Sequence, residues 1–146
     1  MFASYSLDLA TRDSVKRRSL MAHHWFQDRW GKNFRLSGDQ NVKREFVNDK
    51  RGIMVATSVG GTVLGRGADR LVIDDPHQPM EALSDVQRAS AIMWYDQTWC
   101  TRQNDPKKTA QVIIMQRLHE GDLTGHVLTK AKDDWRHIKL PMEWEG

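Results

Sequence analysis

The chain has 146 residues, 39% of them apolar and 28% charged, which fits one folded domain and excludes a disordered tract. No apolar run approaches the roughly 18 residues of a membrane span, and Met1–Tyr5 lacks the charged-then-apolar pattern of a secretory signal. Net charge is only +3, but residues 1–52 hold eleven Lys/Arg against six Asp/Glu, while residues 53–101 hold three against six, so the N-terminal third is the part suited to an anion such as DNA. The single cysteine, Cys100, excludes an internal disulfide and fits a reducing compartment.

In chain order, Met1–Tyr5 reads as a short buried strand. Residues 9–30 read as a helix, with Leu9, Val15, Ala22, Trp25, Phe26 and Trp30 near helical spacing. Asn33–Leu36 is a short strand candidate, and Asn41–Arg51 is polar loop or edge. Ile53–Ser58 alternates as a strand does, and Gly60, Gly61, Gly65 and Gly67 follow as a flexible loop. Arg70–Ile73 is a compact β-branched run of the kind covered on both faces, stopped by Pro76. Ser84 and Gln87 form a capping box that opens a helix to about Cys100, with Val86, Ala89, Ile92, Met93 and Trp99 expected inward. Asn104–Pro106 is a turn and Ala110–Met115 a second apolar strand. Asp122–Lys132 reads as a helix with Leu123, Val127, Leu128 and Ala131 on one face, and Arg136–Leu140 as a last strand. Strands alternating with helices predict an α/β domain with a mostly parallel sheet, whose ligands sit at the carboxyl ends of strands.

One feature in that pattern carries chemistry. Leu71-Val72-Ile73-Asp74-Asp75-Pro76 is an apolar strand ending in two adjacent carboxylates, and a buried carboxylate must be solvated, paired or on a metal. In P-loop nucleotide hydrolases the first such carboxylate helps hold Mg²⁺, and a following one polarises the attacking water. A cap on the turn before Pro76 explains the same residues, and the local sequence leaves both open. Gly60–Gly67 has the spacing of a phosphate loop, but Arg66 stands for its lysine, Gly67 for its hydroxyl, and the segment leads into a strand rather than a helix. His119-Glu120 fails the zinc spacing H-E-x-x-H because position 123 is Leu. His23, His24 and His77 have no partner at ligand spacing and are expected at the surface.

Taken in order, several segments resemble the large subunit of tailed-phage terminases, the motor that packages DNA. They are Ala3-Ser4-Tyr5-Ser6, Ala56–Gly61, Gly65–Asp69, Leu71–Pro76, Trp99–Arg102, Ile113–Glu120, Asp122–Gly125 and Leu140–Met142. That family joins a P-loop ATPase domain to a nuclease domain of RNase H-like fold. The resemblance places the chain inside the ATPase domain, after its phosphate loop. It implies a P-loop NTPase-type sheet that is incomplete, with the first strand and phosphate loop missing, and no nuclease domain. Losing a central strand is expected to leave two unpaired edges in the middle of the sheet, and hence association.

The resemblance also implies roles. Asp74 is the Mg²⁺ carboxylate and Asp75 the water-activating one, with Asp standing where much of the family has Glu. Gln116, or else Arg117, senses the γ-phosphate, and Arg117 alternatively pairs with Glu120 or Asp122. Arg66 is the arginine that one ring subunit lends its neighbour, or a plain loop arginine. Implied cofactors are ATP and Mg²⁺. Implied partners are double-stranded DNA, portal protein, the small terminase subunit and other copies in a homo-oligomeric ring, with no membrane, in the cytoplasm of a bacterial host. The chain alone is expected to lack ATPase and nuclease activity. The competing readings are an inactive prophage remnant and another P-loop nucleic-acid motor of helicase type.

Overall fold

A computed structural model describes residues 1–63, 65–131 and 134–143. The strands are β1 (Phe2–Ser4), β2 (Leu36–Asn41), β3 (Glu45–Asn48), β4 (Ile53–Ser58), β5 (Arg70–Asp74) and β6 (Ala110–Ile114). The helices are α1 (Leu7–Ala22), α2 (His24–Trp30), α3 (Asp85–Trp94) and α4 (Leu123–Lys130). All six strands join one sheet in the order β2-β3-β4-β1-β5-β6. β4, β1, β5 and β6 are parallel, and the β2–β3 hairpin extends the sheet antiparallel beyond β4. Helices flank this mostly parallel sheet.

Alternation along the strands assigns the two faces. Leu71 and Ile73 of β5 point to the face holding the larger core, with Ala3, Trp94, Tyr95, Trp99, Leu123 and Val127. That face is covered by α3 and α4. Phe2 and Val72 point to the other face, where α1 packs over β1 and β4. The buried residues of α1 are Ala10 and Ser14, small enough to bring the helix close to the sheet.

Several expectations change. The helix expected over residues 9–30 is two, broken at His23, whose extended backbone (φ −69°, ψ 142°) cannot continue a helix and whose Nδ1 accepts the Trp25 N–H. The strand expected at Asn33–Leu36 begins only at Leu36 and runs to Asn41 as the outer strand β2, and segment 41–51, expected as loop or edge, holds β3, which pairs with both β2 and β4. The inward face of α3 is Arg88, Ala91 and Trp94, not Val86, Ala89 or Met93. The Arg88 stem is buried because its guanidinium bonds the Ala82 carbonyl and the Asp85 carboxylate, and residues Tyr95–Trp99 then widen into a π turn that resets the phase. Arg136–Leu140 forms no strand. Leu64, and Lys132 at the expected end of α4, lie outside the described residues.

Among the described residues the sheet has no gap. β1, β4, β5 and β6 pair continuously, so the two central unpaired edges expected of an incomplete domain are not there. The exposed apolar edge is β6 instead. Val112 and Ile114 point to the α1 face, which α1 does not reach, and stay 43% and 55% exposed.

Candidate functional site

Chain connections diverge between β1 and β5. From β1 the chain leaves through α1 on one face toward β4; from β5 it leaves through α3 on the opposite face toward β6. This is the topological switch point of the sheet, where open α/β sheets form their ligand crevice. Ser4 of β1 stands opposite Asp74 of β5, which stands opposite Ile114 of β6. Just past the strands, three backbone bonds tie four strand ends in a row. Val59 N–H donates to the Ser4 carbonyl (2.8 Å), Tyr5 N–H to that of Asp75 (2.9 Å), and Asp75 N–H to that of Ile114 (2.8 Å).

Asp75 is held in this row with φ +48°, a left-handed conformation that Asp tolerates better than most side chains. Its side chain is exposed, and Pro76 and His77 behind it are buried. Asp74 is half-buried on the α1 face. Its carboxyl is pushed above the usual range by burial first, then by the Asp75 and Asp13 carboxylates, with Arg17 and Arg12 of α1 opposing. A polar cavity of about 130 Å³ adjoins the row, lined by Tyr5, Gly60, His77, Glu81, Gln87 and Ser90. It is well under the roughly 300–1,000 Å³ of small-molecule sites, so the described residues do not enclose a nucleotide.

Gln116 lies two residues past the β6 partner of Asp74, at the same pole; it is exposed and hydrogen-bonds to no described residue. Arg117 takes the ion-pair option. Its Nε lies 3.0 Å from Asp122 Oδ2, and Asp122 Oδ1 caps α4 by accepting the Gly125 N–H at 2.9 Å. Arg66 lies on the loop between β4 and β5, and its ion-pair partner is on β3, three strands across the sheet from β5. Its Nη1 is 2.8 Å from Glu45 of β3. Thus Asp74, Asp75 and Gln116 lie at the same end of adjacent strands, Arg117 follows them, and Arg66 is engaged on β3.

His77 is buried rather than at the surface. Its Nε2 accepts the Leu123 N–H at 3.0 Å, which draws the end of β5 to the start of α4. Burial lowers its pKa first, the Asp122 carboxylate opposes and Arg88 adds to the lowering. Sequence reasoning also missed Arg12, Asp13 and Arg17 beside Asp74; their signal was charge at helical spacing just after the first strand.

No protein-family model matches this sequence, and no curated protein matches it significantly. The class defined by fold and site is an open α/β sheet with paired carboxylates at its switch point.

Proposed function

We propose that residues 1–146 form the metal-holding and coupling portion of a P-loop-type ATPase domain, from the large subunit of a tailed-phage DNA-packaging terminase. The observation that carries this reading is the gathering of Asp74, Asp75 and Gln116 at the carboxyl ends of adjacent parallel strands beside the switch point. Asp74 holds Mg²⁺, Asp75 polarises the attacking water, and Gln116 meets the γ-phosphate of ATP. The donor set fits the metal. Mg²⁺ bound with a nucleotide needs only one or two protein carboxylates, the rest of its shell being phosphate oxygens and water. A cation there also relieves the repulsion between the Asp74 and Asp75 carboxylates. When bound, it neutralises charge on the transferring phosphate.

The uncovered apolar face of β6, alongside Asp74, supports the same reading, since it offers a place for a further strand and helix carrying the phosphates' main cradle. Double-stranded DNA, portal protein, small terminase subunit, a ring of copies and the bacterial cytoplasm follow from the resemblance. A non-catalytic remnant is the second reading. It is favoured by the engagement of Arg66 with Glu45 and of Arg117 with Asp122, which occupies both guanidinium groups.

Two measurements on the purified chain test the proposal. Mn²⁺ standing in for Mg²⁺, followed by electron paramagnetic resonance, should bind wild type and lose that site in Asp74→Asn; identical titrations would remove the metal role. ATP turnover should stay at background, and turnover abolished by Asp75→Ala would overturn the partial-domain reading.

A further inference from the structure

A second surface lies at the pole of the sheet opposite Asp74 and Asp75. α1 runs back along the sheet and delivers α2 there, and the turn Asp49–Gly52 leads into the amino end of β4. The Arg35 N–H donates to the Asp49 carboxylate and the Asp49 N–H to the Arg35 carbonyl, both at 3.0 Å, so the turn is fastened beside the chain leaving α2. No residue of α2 is buried. Trp25 and Trp30 meet edge to face, centroids 5.4 Å apart, yet stay 43% and 41% exposed. The Arg29 guanidinium lies 4.5 Å from the Trp25 ring centroid. An apolar cavity of about 180 Å³ is lined by Met21, Phe34, Leu36, Phe46, Ile53 and Met54, and Phe34 meets Phe26 of α2, centroids 5.9 Å apart.

The segments that carry these features are rich in cations. Residues 24–35 and the turn 49–52 carry Arg29, Lys32, Arg35, Lys50 and Arg51 against Asp28 and Asp49, and Asp49 already accepts a backbone bond. Among the described residues Lys32, Lys50 and Arg51 have no anionic partner. An apolar protein partner would use the tryptophans and leave the cations unanswered. A duplex would use the cations, but its base faces are stacked away from the tryptophans. An unpaired strand satisfies both, because bases stack on aromatic faces and phosphates pair with Lys and Arg.

We propose that α2 and the Asp49–Gly52 turn form a binding site for single-stranded nucleic acid, with bases stacked on Trp25 and Trp30 and phosphates held by Lys32, Arg35, Lys50 and Arg51. The site is independent of the carboxylate pair, and the Mn²⁺ titration of Asp74→Asn reads the other pole separately.

Fluorescein-labelled oligothymidylate and oligouridylate, titrated with the whole chain at two salt concentrations, test it through anisotropy and tryptophan emission. The expected result is binding with tryptophan quenching that weakens steeply with salt, whichever sugar is preferred. Trp30→Ala and the paired change Lys50→Glu with Arg51→Glu should each weaken binding about fivefold or more. The turn variant alters only exposed side chains, so it keeps the test sound should Trp30→Ala unfold. Tighter binding of a duplex than of either strand overturns the proposal. So does unchanged affinity in the turn variant, or equal competition by heparin without quenching.

Discussion

Arg117 Nε lies 3.0 Å from Oδ2 of Asp122, a carboxylate with no exposure to solvent. The same oxygen accepts the N–H groups of Leu118 (3.2 Å) and His119 (3.4 Å). The segment that carries Gln116 is thereby locked to the first turn of α4, which His77 ties in turn to the end of β5. The ends of β5 and β6 therefore cannot move independently of α4. Asp122→Ala strips a buried hub of its bonds and the helix of its cap, and should cost about 3–5 kcal/mol. Arg117→Ala leaves the backbone donors in place and removes a half-exposed partner, so about 1–2 kcal/mol is expected. Urea denaturation of the two variants checks the order, and a larger loss for Arg117→Ala would contradict the hub.

His77 makes stability depend on pH. Its folded pKa is lowered below the ordinary 6.5 by burial, with Arg88 adding and Asp122 opposing. The unfolded chain therefore takes up a proton at a pH where the native chain does not. Stability from this group is constant above the unfolded pKa and falls as pH drops below about 6.5. His77→Gln, whose amide oxygen can still accept the Leu123 N–H, should flatten that limb. Urea midpoints measured across this pH range for both proteins decide it.

Asp74 works in the opposite sense. Its folded pKa is raised above 3.8, first by burial and then by the Asp75 and Asp13 carboxylates, with Arg17 and Arg12 opposing. The native state holds its proton longer than the unfolded state, so this group's contribution falls as pH rises from 3.8 through the raised value and stays unfavourable at neutral pH. Asp74→Asn should therefore raise the neutral-pH melting temperature without divalent cations. Mg²⁺ at ten times its Kd should add about 1.4 kcal/mol to wild type and nothing to the variant. Equal Mg²⁺ responses would separate Asp74 from the metal.

The left-handed backbone at Asp75 predicts a pattern among substitutions. Asn and Gly accept φ +48° and should leave thermal stability near wild type. Asp75→Val, β-branched at the same φ, should cost about 1–3 kcal/mol. A Val variant melting with the Asn variant would show that the row of strand ends relaxes freely.

Val112 and Ile114 leave an apolar patch on the outermost parallel strand. Such an edge is a template for pairing between copies. Ile114→Lys should shift the sedimentation profile toward monomer while changing stability by less than about 1 kcal/mol. An unchanged profile would point to another contact.

Much of the frame was legible in the sequence because it rests on local chemistry. Ile53–Ser58, Arg70–Asp74 and Ala110–Ile114 are short β-branched runs bounded by Gly, Pro or polar turns, and their strand character needs no distant partner. The Ser84 cap and the carboxylates before Pro76 are equally local signals. What stayed hidden was decided by pairing across the chain. The outer strand β2, Leu36–Asn41, carries no β-branched run to mark it as a strand and is fixed by its pairing with β3. His77 reads as an isolated polar residue until α4, far along the chain, supplies the N–H it accepts. Ile92 and Trp99 face the core as expected, while Val86, Ala89 and Met93 do not, because Arg88 buries its stem and the π turn shifts the phase.

The sequence by itself determined that Asp74 and Asp75 end an apolar strand, since burial and charge alternate within a few residues. Only the tertiary structure decided that this end lies at the switch point, opposite Ser4 and beside Ile114, with Gln116 at the same pole and Arg66 turned to Glu45 of β3 instead. The reason is physical. A strand's identity is set by its own side chains, but its neighbours are set by backbone bonds to segments tens of residues away, and those bonds alone assemble a site.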